Sequence, residues 1–333
     1  MLGLSQCSPC LRGEILLAVT HHGDTEDTEE ISGLLRQHSN EAPPSLSLPV
    51  DISIDTALPC NPVDPTVSNS KQIAVAVIPA RYDSIRLPGK PLLTLAGKPL
   101  VVWVAERASS ARTVSRVIVA TDDERIRDAV IAAGFEAKMT RPDHASGSDR
   151  VAEVARDLDA EIIVNVQGDE PLIEPETIDR AVAALRSDRE AMMATTCEMI
   201  ETAADVLSRS VVKVEVDARN RAVAFSRNPI PFPNQAVSKY GSIEAALANE
   251  PALLFSFRKH TGLYAYRREF LLEFSSWPAA ASEKAESLEQ LRALERGVTI
   301  KVVEAAAPSI GVDTNEDLER VREIVGRGAP VGV

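Results

Sequence analysis

The sequence is poor in cysteine, with four in 333 residues. Three of them lie before residue 72, so the rest of the chain carries a single thiol, Cys197, and has no internal disulfide. This usage is typical of a reducing compartment, and we expect a cytoplasmic protein. Cys7-Ser8-Pro9-Cys10 has no second ligand pair at a fixed spacing, which disfavours a zinc site there.

Positive charge and long apolar runs are also scarce. The net charge is −13, because 49 Asp and Glu outweigh 36 Lys and Arg. Nucleic-acid binding requires a basic face, so we expect no nucleic-acid partner. No apolar run approaches the ~20 residues of a membrane-spanning helix, so we expect no membrane partner.

Two common nucleotide-binding motifs are missing. The chain has no GxxxxGK[ST] loop and no GxGxxG directly after its first strong strand signal. The second absence disfavours a dinucleotide-binding dehydrogenase. A phosphate site in this chain must therefore use other residues.

Residues 1–72 differ from the rest of the sequence. They hold 7 of the 21 prolines and, with 3 basic and 10 acidic residues, a net charge of −7. They show no sustained helical or strand period. This composition predicts a largely disordered extension before a folded domain at 73–330.

From residue 73 onward, strand and helix signals alternate. Three β-branched runs lie at 73–78, 117–120 and 161–166, and a further short strand is predicted at 136–139, after Gly134. Helix patterns at 99–110, 124–133, 148–158 and 175–186 follow these four strands in turn. This rhythm predicts an α/β fold with a doubly wound, mostly parallel sheet. Strand signals follow at 192–199, 211–216, 222–226 and 261–266, with less clear helices between them. They indicate an inserted antiparallel lobe at about 190–275, which we expect to cover one side of the ligand site. A helix capped by Ser282 is predicted over 282–296.

The first chemical constellation is a cationic loop. Arg81, Arg86 and Lys90 follow the strand at 73–78, among several prolines. Guanidinium groups bind phosphate oxygens in pairs, and Lys adds a compact charge. A solvated basic loop explains the residue types equally well. The position after a buried strand favours a phosphate site, because ligands of such sheets bind beyond the strand ends.

The second constellation is a pair of carboxylates. Asp169 follows the strand at 161–166, and Asp313 lies in Gly311-Val312-Asp313-Thr314. Mg²⁺ binds one or two carboxylates together with substrate phosphates. Each Asp alone could equally cap a helix or turn. Facing a triphosphate loop, the two would suit metal-assisted phosphoryl transfer.

Two weaker groups remain. Ser146-Gly147, before a helix, offers a hydroxyl and backbone N–H groups to an anion or base. Arg227, His260 and Tyr264 suit an acidic sugar, with Arg for the carboxylate and His or Tyr for hydroxyls. Tyr264 could instead be a core residue, and His144 fits an ordinary surface histidine.

Together these segments resemble the CMP-Kdo synthetases, the 3-deoxy-manno-octulosonate (Kdo) cytidylyltransferases of bacterial lipopolysaccharide synthesis. The matching stretches are IPARYDSIRLPGKPL (78–92), GKPL (97–100), VATDD (119–123), MTRPDHASGSDR (139–150), VNVQGDEPLI (164–173), FSRNPIPF (225–232), KHTGLYAYR (259–267), LEQLRALE (288–295) and GVDTNEDLERV (311–321). RLPGKPL and VQGDEP also occur in related cytidylyltransferases, whereas the full combination is particular to the Kdo enzymes.

The resemblance implies a fold of the nucleotide-diphospho-sugar transferase type and a reaction in which CTP and Kdo give CMP-Kdo and pyrophosphate with Mg²⁺. It also implies roles for individual residues. Catalytic residues would be Arg81, Arg86, Lys90 and Asp169; nucleotide-binding residues would be Ala80, Arg81, Lys90, Arg141, Ser146 and Gly147; sugar-binding residues would be Gln167, Arg227, His260, Tyr264, Glu289 and Gln290; and the metal ligands would be Asp169 and Asp313.

Some questions stay open at this level. Ala145 stands where the family usually has Gln, and Ser148-Asp149 where Thr-Glu is frequent. Another acidic sugar, such as sialic acid or an amino variant of Kdo, is the alternative substrate, and a nucleotide-binding protein without catalysis is the alternative class. Family resemblance also implies a homodimer, with its contact expected near 225–266.

Overall fold

A computed structural model describes residues 72–84 and 86–327. The extension predicted at residues 1–72 lies outside this range except for Gln72, so its predicted disorder stays a prediction. None of the helices in the described part of the chain is long and apolar enough to cross a membrane.

The strands follow the predicted pattern closely. They are β1 (Gln72–Ala80), β2 (Thr94–Leu95), β3 (Lys98–Pro99), β4 (Val114–Thr121), β5 (Glu136–Met139), β6 (Ala160–Asn165), β7 (Met193–Met199), β8 (Lys213–Val216), β9 (Ala222–Ser226), β10 (Arg258–Arg267) and β11 (Ile300–Glu304). The first strand runs two residues beyond Ile78, through Pro79 to Ala80.

The α-helices lie mostly between these strands. They are α1 (Leu100–Ser109), α2 (Glu124–Ala132), α3 (Gly147–Ala155), α4 (Pro175–Ser187), α5 (Ala203–Leu207), α6 (Asn234–Tyr240), α7 (Ile243–Asn249), α8 (Arg268–Phe274), α9 (Ala281–Glu286), α10 (Gln290–Glu295) and α11 (Asn315–Gly326). Short 3₁₀ helices lie at Lys90–Leu92 and Pro251–Ser256.

Within the described residues, nine strands form one sheet, whose main path is β11-β7-β10-β6-β1-β4-β5. β1 is parallel to both β4 and β6, and β4 is parallel to β5. β10 alone on this path is antiparallel to its neighbours β6 and β7. The prediction of a mostly parallel α/β sheet with an antiparallel portion is therefore confirmed.

Both faces of the central strand are buried. Ala74, Ala76 and Ile78 of β1 pack into one apolar cluster with α1 and α4, whereas Val75 and Val77 pack into a second with α3 and α8. A strand covered on both faces requires the continuous apolar run that β1 has. This sandwich fixes the carboxyl ends of β1, β4 and β6 at one edge of the sheet.

The inserted segment is more closely joined to the sheet than the sequence suggests. β7 and β10, both within the predicted lobe, are strands of the central sheet, and β8 and β9 attach through β10. α5 and α7 lie outside the sheet and share a small apolar cluster of their own, which includes Val206, Leu247 and Phe257. That this segment covers a sugar site stays a prediction.

The predicted single helix over 282–296 is wrong. Ser287 adopts φ +54°, in the left-handed region, and separates α9 from α10. The helix start is also earlier: α9 begins at Ala281, and Glu283 accepts a hydrogen bond from the Ala280 backbone N–H at 2.9 Å. The break rotates the following residues, Glu289 and Gln290, relative to a continuous helix.

Candidate active site

A cavity of about 550 Å³ opens at the carboxyl edge of β1, β4 and β6. It gathers ten of the predicted residues: Ala80, Arg81, Arg86, Lys90, Ser146, Gly147, Gln167, Asp169, Glu289 and Asp313. Five others do not line it: Arg141, Arg227, His260, Tyr264 and Gln290. The cationic loop, defined as Arg81–Ser84 with Arg86–Lys90, forms one wall.

Lys90 joins the cationic loop to both predicted metal ligands. Its ammonium donates to Asp169 Oδ2 at 2.6 Å and to Asp313 Oδ1 at 3.1 Å. Arg86 Nη2 lies 3.0 Å from the same Asp313 oxygen. The Lys90 side chain is 15% exposed, whereas Asp313 and Arg86 are 45% and 65% exposed, so only the Lys90 side of the cluster is shielded from water. The two carboxylates thus converge on one cation.

The segment that carries Asp313 is anchored to the sheet by several hydrogen bonds. Val312 N donates to the Asp169 carbonyl at 2.9 Å, which couples the two acidic segments directly. Earlier in the segment, Ser309 N donates to Glu198 Oε1 at 3.1 Å, and Lys259 Nζ donates to Glu198 Oε2 at 3.1 Å. These bonds position Asp313 opposite Asp169.

Gly168 explains how the ends of β1 and β6 come close together. A Cβ atom at this position would lie 2.7 Å from the Pro79 carbonyl oxygen, a distance that side chains do not tolerate. Glycine therefore lets the segment before Asp169 pass beside the first residues of the cationic loop. Gly89, at φ +68°, supplies the second special backbone position, immediately before Lys90.

The amino end of α3 forms the opposite wall. Ser146 is the N-cap, and its hydroxyl accepts a hydrogen bond from Asp149 N at 3.1 Å. Arg150, buried in the same helix, donates to Asp122 Oδ2 at 2.7 Å. This pair ties α3 to the end of β4, so Ser146 and Gly147 lie on a rigid element.

Glu289 reaches the cavity from the turn between α9 and α10. Burial raises the pKa of its carboxyl above the usual value, while hydrogen bonds from Ser148 and Ser146 act in the opposite direction. In the part of the chain that the structure describes, Glu289 Oε2 and Gln290 Nε2 are buried without a hydrogen-bond partner. Buried unpaired polar atoms beside a cavity are candidates for ligand contact.

Tyr264, His260 and Gln290 form a layer outside the cavity lining. The Tyr264 hydroxyl donates to Gln290 Oε1 at 3.1 Å, and burial raises the pKa of Tyr264 well above 10. His260 Nε2 contacts Thr195 Oγ1 at 2.9 Å. Burial lowers the pKa of His260 to about 3, so its imidazole is neutral at physiological pH.

The two remaining predicted arginines are engaged elsewhere. Arg227 donates from Nε to the Glu286 carbonyl at 2.7 Å and from Nη1 to the Arg209 carbonyl at 3.0 Å. Arg141 is exposed, with its Nε 3.6 Å from Glu153 Oε2. Neither guanidinium lines the cavity in this structure.

Other residues of the cavity and its rim were not assigned roles from the sequence. Ser84, Arg150 and His144 line the cavity. Beside Asp169, burial and the neighbouring carboxylate raise the pKa of Glu170 to about 7. Ser84 and Arg150 lay within the quoted motifs, but residue type alone does not show which motif positions face a cavity.

The donor set suits a metal that also binds the substrate. None of the described residues form a group of three or more His, Cys, Asp or Glu side chains able to enclose a metal ion. Two carboxylates alone match Mg²⁺, which completes its shell with waters and substrate phosphates.

Comparisons with known proteins agree with this geometry. A family model described as cytidylyltransferase matches residues 75–300. The 3-deoxy-manno-octulosonate cytidylyltransferase of Geobacter sulfurreducens is 52% identical over 249 residues, which cover 74% of this chain and 97% of the relative. The enzyme of the same name from Pseudomonas fluorescens is 50% identical over 254 residues, 75% of this chain and 96% of the relative.

A solved structure extends the likeness to three dimensions. A CMP:2-keto-3-deoxy-manno-octonic acid synthetase in complex with CTP superposes with a TM-score of 0.69 at 44% identity, covering 77% of this chain and 99% of the other. The shared fold, the matched length and the identity lead to one conclusion. The chain belongs to the 3-deoxy-manno-octulosonate cytidylyltransferase family.

Proposed function

We propose that the protein transfers the cytidylyl group of CTP to Kdo, giving CMP-Kdo and pyrophosphate. The observation that carries this proposal is the meeting of Lys90, Asp169 and Asp313 in one cavity, together with the family to which the chain belongs. The anomeric hydroxyl of Kdo releases its proton to solvent, and its oxygen forms a bond to the α-phosphorus. The bond from that phosphorus to the bridging oxygen breaks, and pyrophosphate leaves with the electron pair.

The cationic loop is proposed to bind the triphosphate. Arg81, Arg86 and Lys90 line the cavity from one side, so their donors can reach several phosphate oxygens at once. Negative charge grows on pyrophosphate as its bond breaks, and fixed cations stabilise that charge without reorganising. Lys90 must exchange carboxylate for phosphate contacts when the nucleotide binds.

Asp169 and Asp313 are the proposed Mg²⁺ ligands. Their oxygens already converge on a cation, the Lys90 ammonium, and this convergence of negative charge supports the assignment. When bound there, Mg²⁺ would polarise the α-phosphate and lower the pKa of the attacking hydroxyl. The protein's own part is to hold the two carboxylates together, through the Val312 to Asp169 backbone hydrogen bond.

The nucleotide and the sugar are proposed to occupy neighbouring parts of the cavity, which meet where Ser146 contacts Glu289. Ala80, Ser146 and Gly147 would contact the cytidine, with Arg141 reaching in from the rim. Gln167 and Glu289 would contact the sugar, and the buried Gln290 Nε2 and Glu289 Oε2, which lack hydrogen-bond partners, support a polar ligand next to them. Arg227, His260 and Tyr264 would complete this pocket only if the segment that carries Arg227 moves toward the cavity.

The reaction is tested by pyrophosphate release from CTP with and without Kdo and Mg²⁺. Release that needs all three supports the proposal, and faster release with sialic acid or an amino analogue of Kdo would favour that substrate instead. CTP binding without turnover would support a non-catalytic nucleotide-binding protein.

The metal assignment needs matched variants. Asp169→Asn and Asp313→Asn should each abolish most turnover, whereas Asp128→Asn, an exposed carboxylate on α2 paired with Arg127, should not. Intact CMP-sugar formation in both active-site variants would show that the metal ligands lie elsewhere.

We also infer a homodimer with its contact near 225–266. Phe232 and Phe255 lie in this segment and are 50% and 75% exposed, an apolar surface that a second copy would cover. Light scattering after gel filtration measures the mass directly. Phe255→Ser should shift the protein toward monomer, and Ile131→Ser, at a 54% exposed apolar position on α2, serves as the control.

The expected location of the reaction is the cytoplasm. Cys197 is the one cysteine in the described ranges, and it is buried and unpaired. Burial raises the pKa of its thiol to about 11, so it is an inert core residue.

A further inference from the structure

Tyr82 lies in the cationic loop, next to Arg81, and contacts a neighbouring helix through its ring. The guanidinium carbon of Arg125, in the first turn of α2, lies 3.5 Å from the centre of the Tyr82 ring. This is the distance of direct cation–π stacking. The contact joins the loop that faces the triphosphate to an element of the sheet scaffold.

The same tyrosine closes the loop onto Gly89. Gly89 N donates to the Tyr82 carbonyl at 3.1 Å. A Cβ atom at Gly89 would lie 3.2 Å from the Cε2, Cζ and hydroxyl atoms of the Tyr82 ring. Tyr82 is therefore packed against the residue that immediately precedes Lys90, so a shift of the ring would move Lys90.

Arg125 is fixed at its other side. Its Nε and Nη2 donate to Asp123 Oδ1 at 3.0 Å and Oδ2 at 2.6 Å, and its backbone N–H donates to the same carboxylate, which caps α2. The Arg125 side chain holds the pKa of Asp123 below its usual value, so this carboxylate is ionised at neutral pH. The guanidinium plane is thus held over Tyr82 by the end of β4.

We propose that Arg125 is a positioning residue that clamps Tyr82 and so holds the cationic loop in the shape that presents Arg81 and Lys90 to the triphosphate. The inference rests on the proposed function of that loop. Arg125 does not itself line the cavity. Without the clamp the loop must be ordered when CTP binds, and this entropy cost weakens binding more than it slows the chemical step.

The test compares Arg125→Ala with Arg127→Ala in the full-length protein. Arg127 lies on the same helix and pairs with Glu124 and Asp128, so its loss changes the charge equally without touching Tyr82. Calorimetry measures the Kd for CTP without sugar. Arg125→Ala should raise this Kd about two- to fivefold, the size of one exposed cation–π contact, while Arg127→Ala leaves it unchanged.

Two further measurements separate clamping from a general loss of charge or fold. In Arg125→Ala the Kd for inorganic triphosphate should rise by the same factor as the Kd for CTP, because the loop faces the phosphates and not the base. Tyr82→Leu should raise the Kd for CTP by a similar factor. Combined with Arg125→Ala it should raise the Kd little further, because both substitutions remove the same contact. Thermal melts check that each variant is folded.

Several results would overturn the inference. Equal Kd values for Arg125→Ala and Arg127→Ala, or fully additive effects with Tyr82→Leu, would show that the contact does not hold the loop. A KM for CTP unchanged in Arg125→Ala while kcat falls would point to the chemical step instead. If the wild-type protein binds CTP but makes no CMP-Kdo, the proposed function is refuted and the binding test of Arg125 stays valid. If the wild-type protein does not bind CTP, both the proposed function and the role of Arg125 are refuted.

Discussion

Lys90 shows what residue types can and cannot predict. The sequence assigns Lys90 to a triphosphate and the two aspartates to a metal, as separate sets. In the structure they form one ion cluster, in which Lys90 contacts residues 79 and 223 positions away in the chain. The residue types predict the chemistry, whereas the shared cation depends on how β1, β6 and the segment before α11 come together.

A Lys90→Met variant should therefore have two opposite effects. Turnover should fall by about 10² or more, because a fixed donor to the leaving group is lost. Mn²⁺ binding in the absence of nucleotide should become tighter, because the ammonium no longer neutralises Asp169 and Asp313. Electron paramagnetic resonance of free Mn²⁺ measures that affinity directly.

Lys98→Met is the matched control for this variant. Lys98 pairs with Glu106 of α1 and does not line the cavity, so its loss should change neither turnover nor Mn²⁺ affinity. Mn²⁺ affinity that falls in Lys90→Met would contradict the view that the ammonium competes with the metal.

His260 provides a pH-dependent prediction. Burial lowers its pKa to about 3 from the 6.5 that is usual for histidine. In the window between these values the unfolded chain binds more protons than the folded one, so the free energy of unfolding contributed by this group falls as the pH drops from about 6.5 toward 3. Replacing His260 with Gln should make the loss of stability between pH 7 and pH 5 smaller, as measured by urea unfolding at both values.

Thr195→Val tests whether the ring itself is responsible. It removes the hydroxyl that contacts His260 Nε2 but leaves the imidazole in place. The fall in the free energy of unfolding from pH 7 to pH 5 should persist in Thr195→Val, although the overall stability of this variant changes. The same pH slope in His260→Gln and wild type would show that another group titrates in this window.

At the scale of elements, the sequence predicts strands better than it predicts the last helices. The observed β5 and β9 have the predicted bounds, because a turn residue precedes each short segment: Gly134 ends α2 before β5, and Asn220 precedes β9. The residues 282–296 have helical propensity throughout, yet the chain breaks at Ser287. Arg292 pairs with Glu283 at 2.6 Å, and Leu288 and Leu291 are buried in the second core cluster. These tertiary contacts favour two helices over one.

Substitution by glycine distinguishes the two arrangements. At Ser287 the left-handed backbone is costly for serine, so Ser287→Gly should raise the free energy of unfolding by roughly 0.5–1 kcal/mol. Ser282 lies inside α9, so Ser282→Gly should lower it by about 0.5–1 kcal/mol. Denaturant unfolding measures both. If 282–296 were one continuous helix capped by Ser282, Ser287→Gly would lower the free energy of unfolding, because glycine is unfavourable inside a helix. Ser282→Gly would then lower it by only a few tenths of a kcal/mol, since glycine is tolerated as an N-cap.

At the scale of the whole molecule, the cavity is built where three parallel strands end. The positions that directly follow β1 and β6, among them Arg81 and Asp169, were predictable because sheet topology alone brings them together. Arg227 was not, because its location depends on how β9 and α9 pack, and its guanidinium caps the α9 carbonyl end in this structure. Topology therefore predicted the proposed phosphate side of the cavity more fully than the proposed sugar side.

The same topology predicts how far the chain can be shortened. Gln72 begins β1 and pairs with Ala160 of β6, so the central strand needs residue 72 onward. A variant that begins at residue 67 should keep kcat and the KM for CTP within about twofold of the full chain, because the Geobacter sulfurreducens relative matches over 97% of its own length without a comparable extension.

A variant that begins at Val77 is the informative counterpart. It removes Ala74, Val75 and Ala76, which are buried between the two core clusters, and with them the pairing of β1 to both neighbours. Losing half of a central strand should abolish cooperative thermal unfolding. If the variant that begins at residue 67 lost activity while its melting temperature stayed unchanged, the acidic extension would have a part in catalysis. If its melting temperature fell as well, residues before β1 would contribute to the fold.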